Sequence, residues 1–217
     1  WLYPNHLYTV LNNAIDAERF RFSAAQRAQT REQLGLSQNS FVYLHVGAFN
    51  EQKNQAFLLE AFARIAAQNP NARLLLVGDG ARRPSCEARA ETLGLRNPVS
   101  FLGVREDIPA LLCAADAFVL PSLHEGLPLT LVEAQCAGLP CVVSNKVTRE
   151  AALTELVAFA PIESSQAFAD AMAAATQTQR EEASAHAIAR AQEAGYDVTQ
   201  NAETLMRIYE SAAQREH

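Results

Sequence analysis

Apolar residues gather in short runs at 41–47, 73–78, 99–103, 117–121, 141–144 and 157–160, each bounded by Gly, Pro, Ser or Asn. Several runs are apolar at nearly every position, the pattern of strands buried on both faces. Between them the period changes. Phe57, Leu58, Ala61, Phe62 and Ile65 recur at i, i+1, i+4, i+5 and i+8, an apolar stripe along a helix. Similar segments follow each later strand, and Val198, Ala202, Leu205, Met206 and Tyr209 mark an amphipathic helix at the end of the chain. Strand and helix in alternation predict an α/β fold, a doubly wound parallel sheet of about six strands with helices on both faces. Open sheets of this kind take ligands at the carboxyl ends of their strands. That rule singles out the loops at 47–53, 78–80, 103–107, 122–128 and 144–145.

Two common phosphate fingerprints are absent. The segment GAFNEQKN after the first strand is not G-x-G-x-x-G, and nothing matches G-x-x-x-x-G-K-[ST]. Dinucleotide hydride transfer and P-loop hydrolysis lose their main support. The 217 residues are 49% hydrophobic and 19% charged, enough for one well-cored domain with extra elements. A net charge of −6 without a block of Lys and Arg argues against a nucleic-acid partner. No apolar run approaches the roughly 18 residues of a membrane span. Cys86, Cys113, Cys136 and Cys141 show no C-x-x-C spacing, so reduced thiols in a cytoplasmic protein are expected. The start, Trp1-Leu2-Tyr3-Pro4, is neither a signal peptide nor an initiator Met and reads as part of a longer protein.

Most of the candidate chemistry lies in LHEGLPLTLVEAQCAGLP, residues 123–140, where seven residues separate Glu125 from Glu133. Pro128 suits the first position of a helix, Gly138 the residue just past its end, and Pro140 prevents continuation. A helix is therefore expected over 128–137. Its start aims free amides and a positive dipole end at the crevice, where a phosphate can sit. Glu125 lies ahead of those amides and Glu133 more than one turn beyond them. Two acceptors flanking an anion site suit a ligand with hydroxyls at both ends and phosphate between, as in a nucleoside diphosphate sugar. A plainer interpretation competes: acidic residues near a helix start favour the dipole, and a Glu on a surface helix is usually solvated. His124-Glu125 begins like H-E-x-x-H, but no second His follows and no metal site emerges. His124 either lines the same pocket or is exposed, and His45 is expected to be packed within its strand.

The spacing of the two glutamates within PSLHEGLPLTLVEAQCAGLPCVVSN resembles the donor site of retaining glycosyltransferases of family 4, the group 1 transferases, which have the two-domain GT-B fold. NNAID is similar to the interdomain Asn-Gly-Ile-Asp segment of that family, and HVGAFNEQKN to its phosphate-loop strand. LLLVGDG, VSFLGVREDIPALLCAADAFVLPS and CVVSN agree in order, and the likeness runs from Asn12 to Tyr209. The resemblance implies the C-terminal half of such an enzyme. Residues 1–37 would be an interdomain linker and a remnant of the N-terminal domain, 38–195 a Rossmann-like donor-binding domain, and 196–217 a helix crossing back to the other domain.

Roles follow from the matching positions. Glu133 would hold the ribose hydroxyls and Glu125 the sugar hydroxyls. Amides at Gly126 and Leu127 would hold the sugar, those around Leu129 and Thr130 the distal phosphate, and Val104 and Arg105 would lie along the base. Arg105 has an alternative as an ion pair with Glu106 or Asp107. Lys53 matches the family's phosphate lysine, a fixed cation where charge grows on the leaving diphosphate, and Gly47 would let the backbone approach that phosphate. Lys53 and Glu125 are thus the catalytic candidates. Asp79, Ser144 and Asn145 are further candidates for touching the base or ribose.

The implied reaction is same-face transfer of a hexosyl group from a nucleoside diphosphate sugar, UDP favoured, to an acceptor hydroxyl, with the leaving phosphate taking the proton. It requires neither a metal nor another cofactor. The acceptor, a glycan or lipid-linked sugar, would bind through an N-terminal domain. The setting would be cytoplasmic, compatible with peripheral association at the inner face of the plasma membrane. Two departures stand out: Ala14 replaces a linker glycine, and Ala48 replaces the arginine of the usual Arg and Lys pair. Loss of one such charge can cost on the order of 10²–10³ in rate. Two rival readings remain, a non-catalytic nucleotide-sugar or carbohydrate binding module and a nucleotide-sugar epimerase of related fold.

Overall fold

The structure, a computed structural model, describes residues 11–176 and 179–215, with 212–215 as backbone only; the opening Trp1-Leu2-Tyr3-Pro4 lies outside the described residues. Six strands form one parallel sheet: β1 (Phe41–Val46), β2 (Ala72–Val77), β3 (Val99–Gly103), β4 (Ala117–Leu120), β5 (Cys141–Ser144) and β6 (Val157–Ala160). Their order is β3-β2-β1-β4-β5-β6. The expected doubly wound sheet is the observed one.

Side chains alternate across the strands, so each strand feeds two cores. Val42, Leu44, Leu75, Phe118 and Leu120 face α4 (Ile108–Ala114), α5 (Leu129–Cys136) and α7 (Arg180–Glu193). Tyr43, Leu74, Leu76, Val119 and Val142 face α2 (Gln55–Gln68), α3 (Arg83–Thr92) and α6 (Ser165–Ala174). Burial from both sides explains why β4 and β5 are buried at every position. The chain winds outward from β1 to β3, then returns to place β4 on the other side of β1. That reversal opens a crevice between the loops that follow β1 and β4.

Residues 24–33, within the stretch expected above to be linker and N-terminal remnant, form α1 (Ala24–Gln33), started by the Ser23 hydroxyl accepting from the Gln26 amide. Arg27 and Arg31 of α1 pair with buried Asp116 just ahead of β4, and both donate to the Ala114 carbonyl at the end of α4. These contacts dock α1 on the domain. At the far end, the Val198 amide donates to the Ile15 carbonyl at 2.9 Å and Asn201 Nδ2 to the Asn12 carbonyl at 2.8 Å. The start of α8 (Val198–Arg215) is thereby tied to the segment entering the domain.

Candidate functional site

The β1–α2 and β4–α5 loops are laced together across the crevice. Asn54 Nδ2 donates to the Pro121 carbonyl at 3.3 Å, and the Leu123 amide donates to the Gln52 carbonyl at 2.8 Å. Gln52 Nε2 donates to the His124 carbonyl at 2.9 Å and to Glu125 Oε2 at 3.2 Å. Lys53 Nζ closes the series with an ion pair to Glu125 Oε1 at 2.7 Å, its side chain 17% exposed and that of Glu125 9%. Asn54 adopts the left-handed conformation, φ 56°, as the chain turns into α2. At Gly47 a Cβ would lie 3.1–3.2 Å from the Lys53 stem, so glycine lets the lysine lie flat against the loop.

Beyond Glu125 the chain enters α5. Pro128 is the residue before the helix rather than its first turn, and no side chain caps that end. The amides of Leu131 and Val132 fold back onto the Pro128 carbonyl at 2.9 and 3.4 Å. Those of Leu129 and Thr130 take no partner among the described residues, and the buried Thr130 hydroxyl also has none. Two open amides at a helix start have the geometry that suits an anion. Glu133 follows one turn later, half-buried, its carboxylate accepting no hydrogen bond among the described residues. Burial raises its pKa, opposed by the charge of Arg19 in the 3-10 helix Ala17–Phe20.

His45 is buried beneath the Lys53–Glu125 pair. Burial holds its pKa down to about 4, so the ring is neutral near pH 7. Its Nδ1–H donates to the Val119 carbonyl at 2.9 Å, and Gln55 Nε2 approaches its Nε2 at 3.3 Å. The same Gln55 amide donates to the Ala48 carbonyl at 2.9 Å, which anchors the loop at the position where the expected arginine is missing.

The remaining candidates are dispersed around the crevice. Val104 is 77% exposed. Arg105 makes a two-armed pair with Asp107 at 2.8 and 2.6 Å, which is the alternative raised for it. His124 and Asp79 are exposed, and an added Cβ at Gly126 would meet nothing within 4 Å. Among the described residues no group of His, Cys, Asp and Glu could hold a metal ion. No described helix is long and apolar enough to cross a membrane. A cavity of about 340 Å³ between α2 and α6 lies at the amino ends of the strands, remote from these groups. Within its polar lining Arg64 donates to Gln166 and Gln166 to Asp170.

Sequence reasoning singled out Lys53, Glu125 and Glu133 but not Gln52, Gln55, Asn54 or Arg19. Only adjacency to Lys53 marked Gln52 in the sequence.

The chain is similar in sequence and fold to known proteins. The family model for glycosyl transferases group 1 matches residues 26–194. EpsF of Bacillus subtilis (strain 168), whose glycosyltransferase name is provisional, is 35% identical over 213 residues, covering 96% of this chain and 54% of that protein. The UDP-Gal:α-D-GlcNAc-diphosphoundecaprenol α-1,3-galactosyltransferase of Escherichia coli is 42% identical over 141 residues, 63% of this chain and 36% of the enzyme. Among solved structures, Anabaena HepE in complex with UDP and glucose matches with a TM-score of 0.79 at 27% identity, covering 96% of this chain and 58% of that one. The chain spans about half the length of EpsF and of HepE.

Proposed function

This chain belongs to the group 1 glycosyl transferases, and from that premise we propose that it binds the nucleoside diphosphate sugar of a retaining hexosyltransferase in the β1/β4 crevice. The observation that carries the reading is the unfilled polarity at α5. Two open amides stand at its start, an unpaired carboxylate follows one turn on, and the Lys53–Glu125 pair borders them. In this proposal Glu133 accepts from the ribose hydroxyls, the Leu129 and Thr130 amides hold the distal phosphate, and Glu125 accepts from the sugar with help from the Gly126 and Leu127 amides. Val104 and Arg105 flank the base, and Gly47 leaves room for the diphosphate. Lys53 stabilises charge on the departing diphosphate, which takes the acceptor proton, so the chemistry needs no metal. HepE was crystallised with UDP and glucose, and the Escherichia coli relative uses UDP-Gal and a lipid-linked acceptor by name. We extend both to this chain: a UDP-sugar donor, and a glycan or lipid-linked sugar acceptor bound through a further N-terminal domain. α8 would cross back to that domain, and the enzyme would work at the cytoplasmic face of a membrane.

Calorimetric titration of the chain with UDP, GDP and ADP tests the proposal. Saturable binding of one nucleotide, weakened at least about tenfold in Glu133→Ala by loss of a charge-assisted hydrogen bond, is the expected result. If none of the three binds, the reading fails. Ala48 favours a second reading, a nucleotide-sugar binding module without turnover, because Arg105 is engaged by Asp107 and leaves the second cation unsupplied from that side. Sugar transfer by the intact protein would exclude it.

A further inference from the structure

We propose that Gln52 is a positioning residue that sets the Glu125 carboxylate for the donor's sugar, an inference that rests on the donor-site reading above. The two oxygens of Glu125 are held by consecutive residues of the opposite loop: Oε1 by Lys53 Nζ at 2.7 Å, Oε2 by Gln52 Nε2 at 3.2 Å. Lysine alone would leave the carboxylate free to pivot, because an ammonium is a point charge on a flexible stem. A second donor on the other oxygen fixes its plane. Gln52 also fixes the loop that carries Glu125, since its side chain donates to the His124 carbonyl at 2.9 Å and its carbonyl accepts from the Leu123 amide at 2.8 Å.

That loop has little packing of its own. Leu123 is 38% exposed, His124 is exposed, and a side chain at Gly126 would meet open space. Its shape therefore depends on the hydrogen bonds from across the crevice together with the bridge of Glu125 to Val147 and the packing of Leu127 on the core. An ionised carboxylate has about four acceptor sites. Lys53 and Gln52 occupy one on each oxygen, which leaves the others for two neighbouring hydroxyls of a sugar. Among the described residues Gln52 makes no hydrogen bond to Glu133 or to the start of α5, so its role separates sugar recognition from nucleotide recognition.

The test is titration of the chain and of Gln52→Met with UDP, UDP-glucose and UDP-galactose, alongside thermal melts. Methionine keeps the length and removes both donors. The expected result is an unchanged melting temperature, UDP affinity within about twofold, and sugar-nucleotide affinity lowered about tenfold, the scale of one hydrogen bond to a charged group. Gln52→Glu, which sets a second carboxylate against Glu125, should weaken the sugar nucleotide further, and because the new charge also lies beside Lys53 only Gln52→Met serves for the comparison with UDP. Equal effects on UDP and its sugar forms would mean a merely structural residue, and no effect on either would likewise overturn the inference while leaving the donor site standing. If the unsubstituted chain binds UDP without any added contribution from sugar, the role given to Glu125 is wrong and the inference falls with it. If it binds none of the three, the uridine donor is wrong and the inference falls with it, and the donor-site reading itself fails when GDP and ADP do not bind either.

Discussion

A half-buried carboxylate without a donor, such as Glu133, is unfavourable to the fold when ionised. Its pKa is raised from 4.5 by burial, so the folded state favours the protonated form. The stability this group contributes is present at low pH and is lost as pH rises through the raised value. Glu133→Gln is therefore expected to raise the melting temperature near pH 7 by about 2 °C, with the gain shrinking as pH falls to about 4. Paired melts at the two pH values measure this, and an equal gain at both would contradict the burial argument. The same substitution should weaken nucleotide binding, the signature of a residue kept for its ligand. Glu133 was legible in the sequence through its spacing from Glu125. Its lack of a partner was not, because that depends on what every neighbouring element fails to donate.

The ends of α5 are treated in opposite ways. Its start has no side-chain cap, whereas its end is closed by Gly138, with φ +69° and an amide donating to the Gln135 carbonyl at 2.7 Å. A Cβ at Gly138 would fall 2.6 Å from the Arg180 carbonyl, so α7 packs where only glycine fits. Arg180 itself donates to the carbonyls of Ala137, Ala115 and Leu112 and lies over the Phe22 ring, gathering the ends of α4 and α5. Burial lowers its pKa to about 10, which leaves it charged near neutral pH. Arg180→Met strips several buried carbonyls of their donor at once. We expect a loss of about 3 kcal/mol, or roughly 10 °C in melting temperature, with nucleotide affinity retained in the cold. A loss near zero in a denaturant titration would show that water replaces the arginine.

At the scale of the molecule, the sheet order makes β1 and β4 neighbours, and the site exists because of it. This is the doubly wound arrangement of GT-B glycosyltransferases. One face of the domain remains unfilled. Val198, Leu205, Met206, Ile208 and Tyr209 of α8 are exposed, between 37% and 62%. A dye that fluoresces on apolar surface should bind the chain, and Met206→Lys with Tyr209→Lys should remove most of that signal without changing the melting temperature. A signal that survives the pair of substitutions would place the apolar surface elsewhere.

The strands, the helices between them, the crevice loops and the spacing of the two glutamates are legible in the order of residues alone. Those features follow from burial period and turn chemistry, which act over a few residues. Folding in three dimensions brings Lys53 and Gln52 onto Glu125 across 72 and 73 residues of chain, and it brings Arg27 and Arg31 onto buried Asp116 to dock α1. It also decided that Arg105 turns to Asp107 instead of replacing the charge absent at Ala48. Polar residues in loops carry no period, and their partners depend on which strands the winding of the sheet makes neighbours.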